Sequence, residues 1–367
     1  MASRAPAPGA GEPIGRVRRR LSVVSDNKLV EGFAQPGDSK EDDGPASGSG
    51  AGAQRRGGAS SSAASGEARG QGNCAVVAAY AGVSKKGYAP YNPQKKNQDS
   101  LVMREEAKTG SLMLGVLDGH GEHGDLVSQY FRDRLPDLIF SDRHYPQRME
   151  KAMVSHFDGL EQRLLDEPAI DTEFSGTTAV VGVIHEDVLK VANIGDSRLI
   201  IGKLARDNSM AAVEVSIDQK PDRADEEERI RKKGGRVFAV QYDDGVDGPA
   251  RVWLKDMDIP GLAMSRSLGD VVAHSAGVVS EPELFEKRLS PRDRILVVAS
   301  DGLFEFVSNQ EVIDIAAKYM SSGPGGKAEP GKAVNELVAE AEKRWLKEEN
   351  VVDDTTVIVA YLAVPQQ

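Results

Sequence analysis

Apolar runs alternate with helical patterns along the chain from residue 73 onward. The helical patterns predict helices at 124–140, 147–165, 222–233, 309–320 and 333–347. Short, continuous runs of β-branched and aliphatic residues predict buried strands at 112–117, 177–184, 188–193, 199–204, 212–216, 294–299 and 355–362. Only a few residues separate several of these strands, so we expect antiparallel sheets covered by helices rather than a uniform βαβ repeat.

The first 72 residues differ in composition from the rest of the chain. They are rich in Gly, Ser and Pro and contain one aromatic residue, Phe33. Such a segment cannot bury enough apolar surface to offset the entropy of ordering it. We therefore predict a disordered tail at 1–72 and one folded domain at 73–367. Within that domain, residues 241–261 carry five aspartates, three glycines and two prolines around Trp253, which predicts an irregular excursion from the sheets.

Charge and cysteine content exclude several classes of protein. The chain has 46 basic and 57 acidic side chains, a net charge of −11 that argues against general binding to nucleic acid. No window holds 18 uninterrupted apolar residues, so we expect no membrane span. One cysteine, Cys74, cannot form an intramolecular disulfide, and the N-terminus lacks the apolar run of a secretory signal. We therefore expect a cytoplasmic or nuclear protein.

One feature of the tail suggests regulation. Ser22 follows the basic cluster Arg18–Arg20, a pattern that basophilic kinases recognise by pairing arginines with acidic pockets. Ser22 is therefore a candidate phosphorylation site, with a solvated tail as the alternative.

Acidic residues follow the ends of three predicted strands. Asp118-Gly119-His120 follows one apolar run, Asp301-Gly302 follows another, and Asp353-Asp354 precedes the last strand. A single Asp-Gly is more often a turn than a ligand. Three acidic strand ends that converge would form a site of hard oxygen ligands, which suits Mg²⁺ or Mn²⁺.

Two further segments allow a structural explanation. The charged segment 222–233 is followed by Gly234, which predicts a solvent-facing helix capped by glycine. Asp270 ends a Leu-Gly-Asp run and could lie near the metals or serve as a structural carboxylate at a turn.

Seven motifs occur in an order that resembles one family, the metal-dependent serine/threonine protein phosphatases of type 2C, also called the PPM family. They span roughly residues 73–363 and are Asn97-Gln98-Asp99, Leu117-Asp118-Gly119-His120-Gly121, Ser175-Gly176-Thr177-Thr178-Ala179, Asn193-Ile194-Gly195-Asp196-Ser197-Arg198, Leu262-Ala263-Met264-Ser265-Arg266-Ser267-Leu268-Gly269-Asp270, Ala299-Ser300-Asp301-Gly302 and Asp353-Asp354-Thr355-Thr356. The resemblance implies an α+β fold, an αββα sandwich of two packed, mainly antiparallel sheets flanked by helices.

The resemblance also implies a two-metal centre that holds Mg²⁺ or Mn²⁺. In it Asp118 would bridge the two ions, the Gly119 carbonyl would bind one of them, and Asp301 and Asp353 would complete the ligands. The ions would activate a water that attacks phosphorus in line. His120 would protonate the departing serine or threonine oxygen, a task suited to imidazole near neutral pH.

Further roles follow from the same resemblance. Asp99 would orient water at the metals, and a weaker third ion would bind Asp196 and Asp301, with Glu305 as a further candidate ligand. Family members often carry an arginine that holds the substrate phosphate. Here Lys95 and Lys96 occupy that neighbourhood and could supply charge without the fork of a guanidinium.

The expected partners are phosphorylated protein substrates, and we expect a monomer. Two alternatives remain at this point. One is a pseudophosphatase that binds phosphoproteins without turnover, since the arginine is absent. The other is a phosphatase of small molecules, which would need a deep, enclosed pocket.

Overall fold

The structure is a computed structural model that describes residues 74–242, 245–320 and 327–366, together with the backbone of three short strands before residue 67. Most of the predicted tail lies outside the described residues, and so does Ser22. No helix in the described part of the chain combines the length and the apolar character needed to cross a membrane.

Strands make up most of the regular structure. In chain order they are β1 Val24–Ser25, β2 Lys28–Leu29, β3 Ser62–Gly66, β4 Val77–Lys85, β5 Ser100–Glu106, β6 Ser111–Leu117, β7 Gly119–His120, β8 Gly176–Thr177, β9 Ala179–His185, β10 Val188–Ile194, β11 Arg198–Leu204, β12 Met210–Glu214, β13 Arg236–Tyr242, β14 Gly245–Trp253, β15 Pro260–Leu262, β16 Leu268–Gly269, β17 Glu283–Arg288, β18 Asp293–Ala299 and β19 Thr355–Leu362. The helices are α1 Gly124–Ser141, α2 Met149–Leu165, α3 Ala224–Lys233, α4 Val271–Ser275, α5 Asp301–Phe304, α6 Asn309–Ala317 and α7 Pro330–Glu348.

Two antiparallel sheets form the body of the fold. One has the strand order β17-β10-β9-β6-β5, and the other has the order β12-β11-β18-β19-β4-β3. Two three-stranded sheets, β13-β14-β15 and β16-β8-β7, are attached to them, and β1 pairs with β2.

The side chains of each central strand point alternately to the two faces of the sheet, and this explains how the two sheets pack. On β6, Leu112 and Leu114 contribute to the core between the sheets, whereas Met113 and Leu117 face the core beneath α1 and α2. Strand β18 behaves in the same way, because its alternate residues contribute to the core between the sheets and to the core beneath α6 and α7. Successive side chains of a strand point to opposite faces, so a strand buried on both faces must be apolar at nearly every position.

The result is four layers, with helices on the outer face of each sheet. This arrangement confirms the predicted α+β sandwich. The predicted helices and strands are present with shifted ends; for example, the strand expected at 212–216 is Met210–Glu214. Pro136 lies inside α1 without ending it.

The prediction of an irregular segment at 241–261 is wrong for most of its length. Strands β14 and β15 pair within it, and β14 also pairs with β13. Trp253 is 3% exposed, stacks on Phe238 with ring centroids 5.1 Å apart, and donates a hydrogen bond to the Phe238 carbonyl. We call the three-stranded sheet β13-β14-β15 the small sheet. Its Val252 packs against Ile230 of α3.

Helix α3 also differs from the prediction of a solvent-facing helix. Gly234 does cap it, with a left-handed φ of 100°, but Glu226 in its first turn is 1% exposed. Its carboxylate accepts hydrogen bonds from Arg229, Arg266 and Ser265. We call Glu226 and these three partners the Glu226 network.

Candidate metal centre

The acidic strand ends predicted from the sequence meet at one edge of the sandwich. In the first sheet, Leu117 at the end of β6 pairs with Ser100 at the start of β5, which places Asp118 near Asp99. In the second sheet, Ala299 at the end of β18 pairs with Val357 near the start of β19. Antiparallel pairing therefore brings the end of one strand beside the start of the next, and both sheets supply carboxylates to the same edge.

Five aspartates from these strand ends influence one another electrostatically, and we call them the carboxylate cluster. They are Asp99, Asp118, Asp196, Asp301 and Asp353. Burial raises the pKa of Asp118 well above its usual range, and the charges of the other four add to the increase. All five predicted positions are therefore brought together.

The pKa values of the flanking aspartates respond to the same causes. Burial and the neighbouring Asp354 raise the pKa of Asp99 to about 7. Burial and the charge of Asp196 raise the pKa of Asp301 to about 7. Grouped carboxylates with raised pKa values are stable as anions only when positive charge is supplied to them.

Several oxygens of the cluster are buried without a hydrogen-bond donor. Among the described residues, Oδ1 of Asp99, Oδ1 of Asp196 and Oδ1 of Asp301 have no partner. Buried polar atoms are normally paired, and an exception calls for a ligand or an ion. Carboxylate oxygens are the donors that Mg²⁺, Ca²⁺ and Mn²⁺ prefer. The donor set therefore fits a hard divalent cation.

The side chains are not arranged as a finished coordination sphere. Within the described ranges, no group of three or more His, Cys, Asp or Glu side chains is assembled in the geometry of a metal site. Two lysines supply positive charge to the cluster instead.

Lys95 is the first of these lysines. Its Nζ lies 2.6 Å from Oδ2 of Asp354 and 3.7 Å from Oδ1 of Asp353, and its side chain is 13% exposed. Burial works against its charge, but the two aspartates raise the pKa of Lys95. Lys96, the other candidate phosphate-binding lysine, points away from the cluster, since it pairs with Asp125 at 2.9 Å and is 66% exposed.

Lys220 is the second of these lysines, and no motif in the sequence points to it. Its ammonium pairs with Asp196, and although burial opposes its charge, Asp196 and Asp301 raise its pKa. Lys220 therefore lies where the resemblance placed a weaker third ion. Glu305, the further candidate ligand for that ion, lies one turn beyond Asp301, and its backbone N–H donates to the Asp301 carbonyl at 2.8 Å.

Asp354 has a different role from its neighbour Asp353. Its carboxylate accepts hydrogen bonds from the backbone N–H groups of Gly87 and Gln98 at 2.7 and 2.9 Å and is 4% exposed. It therefore connects the segment before β5 to the start of β19. Ser300 makes a similar connection, because its hydroxyl donates to Asp99 at 2.9 Å and accepts from the Thr356 N–H at 3.0 Å.

The backbone at Gly119 requires glycine. A Cβ there would lie 2.2 Å from the Gly124 carbonyl oxygen and 2.6 Å from that of Gln98. Gly119 pairs with Thr177 across β7 and β8, and the N–H of Thr178 donates to the Asp118 carbonyl at 2.9 Å. These contacts fix the turn that carries Asp118, Gly119 and His120.

The start of α5 is held by α7. Trp345 is 3% exposed, and its indole N–H donates to the Gly302 carbonyl at 2.7 Å, next to Asp301. A Cβ at Gly302 would lie 2.0 Å from the Asp354 carbonyl oxygen, so this position is also closed to larger residues.

His120 pairs with Asp270. Its Nε2 lies 2.6 Å from Oδ2 of Asp270, and the two side chains are 14% and 3% exposed. Burial opposes a charged imidazole, but Asp270 and then Asp196 and Asp301 raise the pKa of His120. The two interpretations of Asp270, a residue near the metals or a structural carboxylate at a turn, did not include this contact with His120. The two residues lie 150 positions apart, so the sequence did not show their contact.

Comparison with known proteins identifies relatives of this chain. The family model described as "Protein phosphatase 2C" matches residues 93–349. The chain is 35% identical over 300 residues to "Probable protein phosphatase 2C 35" of Arabidopsis thaliana, with 77% of this chain and 83% of the relative covered. It is 37% identical over 283 residues to "Probable protein phosphatase 2C 72" of the same plant, with 74% and 83% covered.

A solved structure supports the fold. The crystal structure of a serine-threonine phosphatase 2C from Toxoplasma gondii superposes with a TM-score of 0.65 at 18% identity. The superposition covers 82% of this chain and 99% of that one.

Proposed function

The chain belongs to the protein phosphatase 2C family, and from that premise we propose that its carboxylate cluster holds the divalent cations with which it hydrolyses phosphoserine and phosphothreonine. Members of the family are protein phosphatases and depend on metal. The chain is accordingly an enzyme, a hydrolase that acts on phosphoproteins.

The observation that carries the proposal is a set of buried aspartates at one edge of the sandwich, with oxygens that lack donors. We assign Mg²⁺ or Mn²⁺ to this edge, because both prefer oxygen ligands and keep several waters. Asp118, the Gly119 carbonyl, Asp301 and Asp353 are the residues that would hold two such ions. When bound, such ions supply an activated water and offset the charge on phosphoryl oxygens.

Residues of the chain supply the other requirements of the reaction. The Ser300 hydroxyl donates a hydrogen bond to Asp99 at 2.9 Å, and Asp99 is the residue we assign to orient water at the edge. Lys95 supplies the positive charge nearest Asp353 and Asp354 and is the residue we assign to the substrate phosphate. Lysine acts there as a point charge, without the bidentate geometry of arginine.

His120 follows Gly119 directly and is the group we assign to protonate the departing oxygen. Imidazole can both give and regain a proton near neutral pH. The Asp270 carboxylate beside it favours the charged, proton-carrying form.

The binding-only alternative has no observation in its favour. All four core ligand positions, Asp118, Gly119, Asp301 and Asp353, carry the residues that the resemblance requires. A third ion beside Asp196 would have to displace the ammonium of Lys220. We also propose a cytoplasmic or nuclear setting, because the one cysteine, Cys74, is buried and forms no disulfide.

The test is phosphate release from a phosphothreonine peptide by the full chain, with Mn²⁺ or Mg²⁺ and then with excess chelator. We expect Asp118→Asn and Asp301→Asn to lose about 10²–10³-fold or more in kcat, because each removes charge from the centre that stabilises the transition state. Turnover by the chelated parent, or full turnover by either variant, would overturn the proposal.

Asp187→Asn is the matched control. Asp187 lies in the turn between β9 and β10, at the other end of the strands, and pairs with Arg288 at 2.8 Å. It should turn over like the parent. A separate assay with sugar phosphates would contradict the protein-substrate assignment if they were the better substrates.

A further inference from the structure

The environment of His120 is asymmetric. Nε2 faces the carboxylate of Asp270 at 2.6 Å, whereas Nδ1 is buried and has no hydrogen-bond partner among the described residues. An ionised carboxylate can only accept, so Nε2 carries a hydrogen and donates it to Asp270. The free position of the ring is therefore Nδ1.

The backbone holds Asp270 in place. Asp270 has a left-handed φ of 47° and follows Gly269 with a φ of 83°. Its N–H donates to the Ser175 carbonyl at 3.0 Å, and the Gly269 N–H donates to the buried carboxylate of Glu161 at 3.1 Å. A left-handed, non-glycine residue costs free energy and is kept only where surrounding contacts maintain it.

The space around the Asp270 carboxylate is also restricted. A Cβ at Gly176 would lie 2.1 Å from Oδ2 of Asp270. Gly176 pairs with His120 across β7 and β8 and with Gly269 across β8 and β16. The three-stranded sheet β16-β8-β7 therefore carries His120 on one edge strand, β7, and its other edge strand, β16, leads directly into Asp270.

We infer that Asp270 is a positioning residue, which fixes the ring of His120 so that Nδ1 is the atom that delivers the proton to the leaving oxygen. The inference deepens the proposed function and rests on it. Beyond that function, it assigns Asp270 the role of positioning the His120 ring and Nδ1 the role of giving the proton.

The proposed step transfers one proton from Nδ1 of His120 to the leaving oxygen. As the bond between phosphorus and the serine or threonine oxygen breaks, its electron pair stays on that oxygen, which takes the proton from Nδ1. The imidazole is left neutral, with its remaining hydrogen on Nε2 and still donated to Asp270. The free alcohol leaves, and a later proton from solvent restores Nδ1.

The experiment varies the leaving group. A threonine alkoxide needs a proton as it departs, whereas p-nitrophenolate is stable as an anion and needs little help. We would measure kcat/KM of the full chain with Mn²⁺ for a phosphothreonine peptide, phenyl phosphate and p-nitrophenyl phosphate. The variants are His120→Gln, Asp270→Asn and Asp270→Gly, and activity is expressed per folded molecule.

Asp270→Asn and Asp270→Gly both suit a left-handed backbone, so at least one variant should retain the fold. We expect His120→Gln to lose about 10²-fold or more on the peptide and much less on p-nitrophenyl phosphate. Both Asp270 variants should show the same pattern to a smaller degree, with a loss on the peptide about tenfold greater than that on p-nitrophenyl phosphate.

The outcomes separate the inference from the proposed function. Equal losses on all three substrates for the Asp270 variants, with His120→Gln still discriminating, would overturn the inference and leave the acid role of His120 intact. Equal losses of kcat/KM on all three substrates for His120→Gln would show that His120 is not the acid, and would overturn that part of the proposed function. Asp293→Asn is the matched control, because Asp293 is a 1% exposed carboxylate that accepts hydrogen bonds from Ser290 at the start of β18, the opposite end of that strand from Asp301. This variant should not discriminate among leaving groups.

Discussion

The molecule buries carboxylates in two regions and treats them in opposite ways. In the Glu226 network, hydrogen bonds from Arg229, Arg266 and Ser265 outweigh the effect of burial and lower the pKa of Glu226 to about 2. In the carboxylate cluster, the aspartates face one another, and the pKa values of Asp99 and Asp301 rise to about 7.

The difference separates structural from functional burial. A buried charge that serves only the fold must be paired, since an unpaired one costs several kcal/mol. A cluster left with unpaired oxygens is stable only when a ligand supplies the missing charge. The comparison therefore points to the carboxylate cluster as the binding edge, and four measurements test it.

The largest effect on stability is expected at Glu226. Glu226→Gln leaves Arg229 and Arg266 without their anionic partner, which should lower the free energy of unfolding by about 4 kcal/mol. Urea unfolding measures the loss, and phosphatase activity per folded molecule should change little. Glu228→Gln, on the exposed face of the same helix where Glu228 pairs with Lys232, should unfold at the same urea concentration as the parent. Equal midpoints for the two variants would contradict the comparison.

Glu161 is an intermediate case, a buried carboxylate with a single backbone donor. Burial raises its pKa from 4.5 to about 8, with a contribution from Asp270. In the unfolded chain Glu161 ionises near pH 4.5, so the stability it contributes is complete below that pH and is lost as pH rises towards 8.

Glu161→Gln should remove this pH dependence. At pH 8 the variant should be more stable than the parent by about 4 kcal/mol, and at pH 4.5 the two should be nearly equal. Chemical denaturation across this range gives the difference. A constant difference at all pH values would show that Glu161 does not titrate in the folded protein.

The third effect tests the cluster itself. Mn²⁺ at 100 times its dissociation constant should raise the free energy of unfolding by about 2.7 kcal/mol, because it binds only the folded chain. Thermal unfolding with Mn²⁺ and with chelator measures this shift. Asp353→Asn should lose most of it, whereas Asp187→Asn should keep it. A shift of the same size in Asp353→Asn would exclude Asp353 as a ligand.

The smallest effect concerns Lys95, which contacts both the cluster and Asp354. Lys95→Met should raise KM for a phosphothreonine peptide about tenfold, equivalent to about 1.4 kcal/mol, with a smaller change in kcat. Lys96→Met is the control, since Lys96 is exposed and paired with Asp125, and its KM should stay at the parent value. An unchanged KM in Lys95→Met would leave Lys95 as a structural partner of Asp354.

The sandwich was predictable because its central strands are buried on both faces. Strands such as β6 and β18 are apolar at almost every position and stand out in the sequence. Strand β4 is not predicted because four of its nine residues are Ala or Gly, and β17 is not predicted because four of its six residues are charged. The sequence predicts an irregular segment where β14 and β15 pair, because Gly, Pro and Asp usually mark turns.

The candidate site shows a similar division. The acidic strand ends could be found because Asp beside Gly after an apolar run is visible locally. The role of Lys220 and the pairing of Asp270 with His120 could not be predicted from the sequence, because they depend on contacts between residues that are distant in the chain. The burial of Glu226 was missed for the same reason, since its partner Arg266 lies 40 residues away.

The two regions also differ in a way that spectroscopy can use. The chain has two tryptophans: Trp253 lies in the small sheet, and Trp345 donates to the Gly302 carbonyl beside Asp301. In a Trp253→Phe chain, all indole fluorescence would come from the side chain that holds the start of α5. The emission would then follow cations as they arrive at the adjacent edge, with no dye attached, and a Trp345→Phe chain would give the matching signal from the small sheet.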